Sequence, residues 1–218
     1  MTRDPADRTC PLCQVARGTE FFEDSRDYFR CPNCRLVFVL PRQFLSPQEE
    51  KRQYDLHENS PDDRRYRQFL SRLFEPLSAR LALHSQGLDF GSGPGPTLSV
   101  MFEEAGHAVD LYDPLYAPNK AVFGRQYDFV TATEVLEHLH EPRQELDRLW
   151  ACLKPGGWLG VMTKLVLDSD AFSRWHYKND PTHVCFYSSA TFGWLAEHFG
   201  ATFALVGNDV ALFEKARG

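Results

Sequence analysis

The sequence predicts an α/β fold, a mostly parallel sheet with helices on both faces and an antiparallel hairpin at its C-terminal end. Three observations carry this. From Gly87 onward, short apolar runs alternate with segments of helical period. The first of these runs leads straight into a glycine-rich turn, Gly91-Ser92-Gly93-Pro94-Gly95. The last two runs are joined by Gly207-Asn208-Asp209, a turn short enough to pair neighbouring strands antiparallel.

The strands are expected at 87–90, 108–112, 127–132, 158–162, 202–206 and 210–214, and the helices between them at 97–104, 142–153 and 189–198. Upstream, Ser46-Pro47 reads as a helix start, with Glu49 and Glu50 in the first turn. A second start lies at Ser60-Pro61-Asp62-Asp63. Beyond it Tyr66, Phe69, Leu70, Leu73, Phe74 and Leu77 form an apolar stripe that packing alone would explain, and Pro76 should kink or restart the helix. Tyr54 and Tyr66 are candidates to cap a ligand pocket. The chain therefore divides into a cysteine-bearing segment at 1–45, a helical linker or cap at 46–84 and the α/β domain at 85–218.

Composition narrows the class. The chain has 218 residues, 43% hydrophobic and 25% charged, with a net charge of −6. These are the proportions of a globular protein with a sizeable core. No apolar run is long enough to span a membrane, and the first residues lack the apolar region of a secretory signal. A reducing cytoplasmic setting is expected, where cysteines serve as metal ligands more often than as disulfides. Residues 1–80 carry 14 Lys/Arg against 13 Asp/Glu, and residues 81–218 carry 10 against 17. That balance gives no overall pull toward nucleic acid or an anionic membrane.

Cys10-Pro-Leu-Cys13 and Cys31-Pro-Asn-Cys34 are separated by seventeen residues. Each pair supplies two thiolates from one tight turn, and four thiolates make the tetrahedral set that zinc prefers. The segment is too small to fold around its own core, so a structural zinc ribbon is the reading, ahead of two redox motifs or spare thiols. Four thiolates leave no open position, so the metal is not expected to do chemistry. Cys152 and Cys185 lie apart and read as buried apolar residues.

The glycine turn has the spacing G-x-G-x-G, not the G-x-G-x-x-G that seats a pyrophosphate on a helix. Asp89 stands two residues ahead of it and would favour a cationic ligand over a diphosphate. About twenty residues on, the second strand ends at Asp113, where a carboxylate can accept the hydroxyls of an adenosine ribose. Together with Glu134-Val-Leu-Glu137-His138-Leu139, Leu153-Lys-Pro-Gly-Gly157 and the closing hairpin, this order resembles the class I S-adenosylmethionine-dependent methyltransferase family, in its methyltransferase-23-like branch.

The resemblance covers roughly residues 80–218. It implies a Rossmann-like, seven-stranded sheet with the cofactor across the strand C-terminal ends. It also implies that Asp89, Gly91, Ser92, Gly93 and Gly95 line the methionine part, Asp113 the ribose, and Thr133 with Glu134 the floor beneath the sulfonium. One departure stands out. Asp128 follows Asp113 by only fifteen residues, so the helix–strand unit usual there must be shortened, and no acid lies between them to read adenine.

Methyl transfer needs alignment and exclusion of water, and a base only where the acceptor loses a proton. Glu134 and His138 are four apart and would share a helical face; Glu137 reads as a brace of that helix, and His138 as either a brace or a base. The other candidates lie in the loop 175–188, where His176, Tyr177 and His183 are interleaved with aromatics and acids. His183 is expected to line the active site and is a candidate base. No tight ligand spacing marks a His/Asp metal site there. The implied function is methyl transfer from S-adenosylmethionine, leaving S-adenosylhomocysteine, to a small or carrier-borne acceptor. The rivals are an RNA methyltransferase gripping tRNA or rRNA through the ribbon, and a catalytically idle binding module.

Overall fold

A computed structural model describes residues 8–56 and 59–217. Its elements run β1 (Thr19–Glu23), β2 (Asp27–Arg30), β3 (Val37–Val39), α1 (Pro47–Tyr54), α2 (Arg64–Ser78), β4 (Gln86–Phe90), α3 (Thr97–Glu104) and β5 (Ala108–Tyr112). There follow β6 (Tyr127–Thr133), α4 (Pro142–Ala151), β7 (Leu153–Met162), α5 (Ser169–Ser173), β8 (Cys185–Phe186), α6 (Ser189–Phe199), β9 (Thr202–Val206) and β10 (Val210–Glu214).

The main sheet has the order β5-β4-β6-β7-β10-β9. β5, β4, β6 and β7 are mutually parallel, and β10 runs antiparallel to both its neighbours, so one strand of the six opposes the rest. This is the expected mixed sheet, but with six strands among the described residues where the resemblance implied seven. The shortfall lies after β5. The stretch that follows it holds only a bridge between Asp113 and Ala117 and a 3-10 turn at Lys120–Gly124, which leaves β5 at the sheet edge.

Alternating side chains of each strand feed two apolar layers. Phe129 of β6 and Leu212 of β10 pack with Leu70, Leu73 and Leu77 of α2 and with Leu98 and Phe102 of α3. On the other face, Val130 and Phe213 meet Leu146 and Leu149 of α4 and Phe192 and Leu195 of α6. Each of the three buried α2 leucines removes enough apolar surface to stabilise the fold by about 1.5–3 kcal/mol. That packing also explains Pro76. The helix neither ends nor restarts there but runs on to Ser78, because Leu73 and Leu77 hold the turn around the proline.

The N-terminal segment forms a second sheet, β1-β2-β3-β8. Its fourth strand comes from far along the chain, with Val37 opposite Phe186 and Phe38 opposite Cys185. The four N-terminal cysteines and the side chains of β3 belong to the same continuous core as β8, α4 and α6. The ribbon is therefore seated on the loop that precedes α6.

Candidate active site

The elements expected to hold the cofactor converge at the C-terminal ends of β4, β5 and β6. Gly91 adopts φ 74°, and a Cβ there would stand 2.4 Å from Val135 Cγ2. Its N–H donates to the Tyr112 carbonyl at 2.7 Å, drawing the loop onto the end of β5. Gly95 has a different constraint: a Cβ would stand 2.0 Å from the Asn59 carbonyl oxygen, so the loop touches the segment joining α1 to α2.

Asp113 is 8% exposed. Its Oδ2 accepts the Gly93 N–H at 3.0 Å, and its Oδ1 accepts those of Leu115 and Tyr116 at 2.8 and 3.0 Å. The carboxylate thus locks the glycine loop to the turn after β5, and only Oδ2 keeps room for another donor. Asp89 lies deeper, accepting from the Thr131 hydroxyl at 2.7 Å, and burial pushes its pKa up to about 6 against that bond.

These elements form one wall of a cleft of about 990 Å³. Among the described residues, Ser92 Oγ, Thr133 Oγ1 and Glu137 Oε2 are buried atoms that find no hydrogen-bond partner, and all three residues line this cleft. Unsatisfied buried polar atoms are costly unless a ligand meets them, so the cleft fits a polar ligand such as the cofactor.

The opposite wall corrects the sequence reading. Leu136–His138 is a single 3-10 turn, and Glu134 precedes it at φ 52°. Glu134 and His138 therefore do not share a helical face. Glu137 does not brace a helix either: it is fully buried, and Tyr177 donates its hydroxyl to Oε1. The same hydroxyl lies 3.4 Å from Glu134 Oε2 and 3.2 Å from Thr163 Oγ1. Burial pushes Glu137 up to about 7, and burial followed by the charge of Glu137 pushes Glu134 up to about 8. Burial and the two carboxylates raise Tyr177 far above the ordinary phenol range, so its hydroxyl stays protonated and serves as a hydrogen-bond donor, not as a base.

His183 is 6% exposed, with Nδ1 2.7 Å from the Tyr177 carbonyl. A carbonyl only accepts, so Nδ1 carries the proton and Nε2 holds the lone pair. Burial, then the neighbouring His138, push its pKa down to about 4, so the ring is neutral near pH 7. Asp180 Oδ2, at 3.8 Å from Nε2, is too far for a hydrogen bond. Its carboxyl stays below the ordinary range: burial opposes ionisation, but the hydroxyl and N–H of Thr182 outweigh it.

His138 stands edge-on to His183, with ring centroids 4.7 Å apart, and to Tyr54 at 5.4 Å. His176 is exposed at the rim, its Nε2 3.3 Å from Lys164 Nζ. All four expected catalytic candidates line the cleft, as do Tyr54 and Tyr66. Ligand atoms of Glu137, His138 and His183 also lie within 4.8 Å of one another, a set able to share one divalent cation. Sequence spacing did not mark this set, because its members come from two loops 45 positions apart. Lys164, Tyr116 and His140 also line the cleft and carried no motif signal.

Away from the cleft, the N-terminal thiols form two matching knuckles. The Cys10 N–H donates to Ala16 and the Cys31 N–H to Leu36, each at 2.9 Å, and the residue after each second cysteine, Gln14 or Arg35, has φ near +60°. Cys10 and Cys34 sulfurs are 3.4 Å apart, and those of Cys13 and Cys31 3.5 Å. A tetrahedron with bonds of about 2.3 Å has edges of about 3.8 Å, so the four buried sulfurs fit a zinc ion with little adjustment. Cys152 and Cys185 are buried, their sulfurs 3.7 Å from the Phe123 carbonyl and 3.4 Å from the Leu139 carbonyl.

Comparison with known proteins places this geometry. Residues 62–205 match the family model described as a methyltransferase domain. The ubiquinone biosynthesis O-methyltransferase of Erwinia tasmaniensis is 33% identical over 79 residues, covering 36% of this chain and 32% of that protein. The enzyme of the same name from Ruegeria pomeroyi is 36% identical over 85 residues, covering 39% and 34%. The match thus spans about a third of the length of these relatives. Among solved structures, the 1,6-didemethyltoxoflavin-N1-methyltransferase of Burkholderia thailandensis superposes with a TM-score of 0.56 at 16% identity, covering 90% of this chain and 98% of that one. That structure holds 1,6-didemethyltoxoflavin and S-adenosylhomocysteine.

Proposed function

The chain belongs to the S-adenosylmethionine-dependent methyltransferase-domain family, and from that premise we propose that it moves the sulfonium methyl group to a small-molecule or carrier-borne acceptor at O, N or C. One observation carries the reading. A single cleft joins the glycine loop and Asp113 on one wall to a neutral, Nδ1-protonated His183 and a protonatable carboxyl pair on the other.

The cofactor would lie along Gly91, Ser92, Gly93 and Asp113, with the Thr133 and Glu134 backbone beneath its sulfonium. The Glu134–Glu137 pair, whose pKa values burial raises, would answer that positive charge by ionising, with the proton released to solvent. His183 Nε2 would take the proton of a hydroxyl or amine acceptor as the methyl group arrives, while the Tyr177 carbonyl steadies the imidazolium through Nδ1–H. A cleft of about 990 Å³ is large enough for the cofactor with a small acceptor beside it.

An RNA acceptor is not favoured by the ribbon. Arg8 and Arg42 are paired with Glu20 and Asp27, and Arg26 is turned inward onto backbone carbonyls. No helix among the described residues is long and apolar enough to cross a membrane. Zinc is the ion proposed for the four thiolates, in a structural role.

The test is transfer of a labelled methyl group to a panel of hydroxylated aromatics, amines, carrier-bound acids and tRNA. Label should enter a small or carrier-borne acceptor, and His183→Asn should lower that rate about 100-fold or more. Label entering tRNA alone would replace this reading with the nucleic-acid one.

A further inference from the structure

The ribbon's four-sulfur cluster stands apart from the cleft, yet the hairpin built on it reaches the loop that carries His183. β1 and β2 are joined by residues 24–26, and this tip with the start of β2 presents three anchors. The Arg26 guanidinium donates to the carbonyls of Lys178, of Asp180 at 3.1 Å, of Pro181 at 3.3 Å and of His183 at 2.9 Å. The Tyr28 hydroxyl donates to the Lys178 carbonyl at 3.2 Å. Asp24 accepts from the buried Lys178 ammonium, which also lies 5.2 Å from the Phe22 ring centroid.

The gripped carbonyls are not scattered. They begin one residue after Tyr177, whose carbonyl fixes the His183 tautomer, and end at His183 itself. The segment thus closes on itself around one guanidinium, whose planar fork of donors suits several carbonyls at once. Behind it, the Val39 N–H donates to the Val184 carbonyl, and the Val184 N–H donates to the Glu137 carbonyl at 2.7 Å, tying ribbon, loop and carboxyl pair into one chain of bonds.

We propose that the ribbon serves as the positioning module of the acceptor-side loop, with Arg26 as a positioning residue that sets the direction in which His183 Nε2 faces the cleft. The proposal rests on the reading of His183 as an acceptor-side group. It gives the N-terminal segment a task within the methyl-transfer site that does not depend on a ribbon partner. The Arg26 guanidinium bonds to the acceptor-side loop and not to the glycine loop or Asp113, so cofactor affinity is expected to respond far less than the loop does.

The experiment uses the zinc-loaded full chain with Arg26→Ala, Arg26→Lys and Tyr28→Phe, after checking zinc content and thermal melting. Three readouts are taken: S-adenosylhomocysteine affinity, amide exchange across 176–186, and the ¹⁵N spectrum of the His183 ring, assigned by its loss in His183→Asn. Arg26→Ala is expected to bind S-adenosylhomocysteine within threefold of wild type and to speed exchange of 176–186 at least tenfold. Its His183 ring should lose the fixed Nδ1–H signature and show averaged tautomers. Arg26→Lys, which keeps the charge without the fork, should fall between, and Tyr28→Phe should shift the signature less. A His183 spectrum unchanged in folded Arg26→Ala would overturn the proposal. Should that variant not fold, unchanged spectra in both milder variants would do the same. Wild type that fails to bind S-adenosylhomocysteine while its His183 signature still follows Arg26 would uphold this coupling and overturn only the functional reading.

Discussion

Glu134 occupies a left-handed backbone position that a side chain with a Cβ tolerates poorly, and it carries a buried carboxyl there. Such strain commonly persists where function needs it. Glu134→Gly should therefore stabilise the fold by about 1 kcal/mol, raising Tm by roughly 2–4 °C, while weakening cofactor binding. Differential scanning calorimetry with a binding titration checks both halves. Glu137 makes a pH prediction. Its folded pKa, raised to about 7 by burial, exceeds the ordinary value of 4.5. The folded state then holds more protons than the unfolded one between those values, so this group's contribution to stability is full below about pH 4.5 and is lost as pH rises through about 7. Glu137→Gln should match wild type in Tm near pH 5 and exceed it near pH 8. Equal differences at both pH values would contradict the assignment. At this scale the glycine loop and Asp113 were legible because their constraint is local: a strand end, a tight turn and an acid at fixed spacing. The role of Glu137 was not, because its partner Tyr177 arrives from a loop 40 positions away.

The elements were read to within a residue or two where short apolar runs were bounded by turn residues, as in α3, β5, β9 and β10. The segment after β6 misled, since Glu134 to His138 has helical spacing but turns instead under the backbone bond from Glu134 N–H to the Met162 carbonyl. α1 is another case. Ser46 and Glu49 form a full capping box, yet the helix has no buried residue and is held at the cleft mouth by polar contacts. Glu50 meets His140 at 2.8 Å, and Asp55 accepts from the Tyr116 hydroxyl at 2.7 Å. A helix held this way behaves as a cover of low local stability. S-adenosylhomocysteine should slow amide exchange in α1 far more than in α4. Gly95→Ala, which drives a Cβ into the Asn59 carbonyl, should weaken that ligand at least tenfold, about 1.4 kcal/mol. Unchanged affinity would show that the α1–α2 connection and the glycine loop are not coupled.

For the whole molecule, the unforeseen feature is the shared sheet. Sequence spacing marked the ribbon and the α/β domain as successive segments, because β8 is two residues long and follows no periodic pattern. Its pairing with β3 and the common core bind the two. Metal removal should accordingly lower the melting of the entire chain in one transition, since binding energy at such a site is folding energy. Two separate transitions, the second unmoved by chelation, would contradict a common core. The central claim is that the cleft between the glycine loop and His183 holds S-adenosylmethionine. The most direct measurement is calorimetric titration of S-adenosylhomocysteine into the zinc-loaded chain, with Asp113→Ala alongside. Wild type should bind with a Kd of about 1 μM, near −8 kcal/mol, and the variant at least tenfold more weakly. No binding by folded, zinc-loaded wild type would contradict the claim.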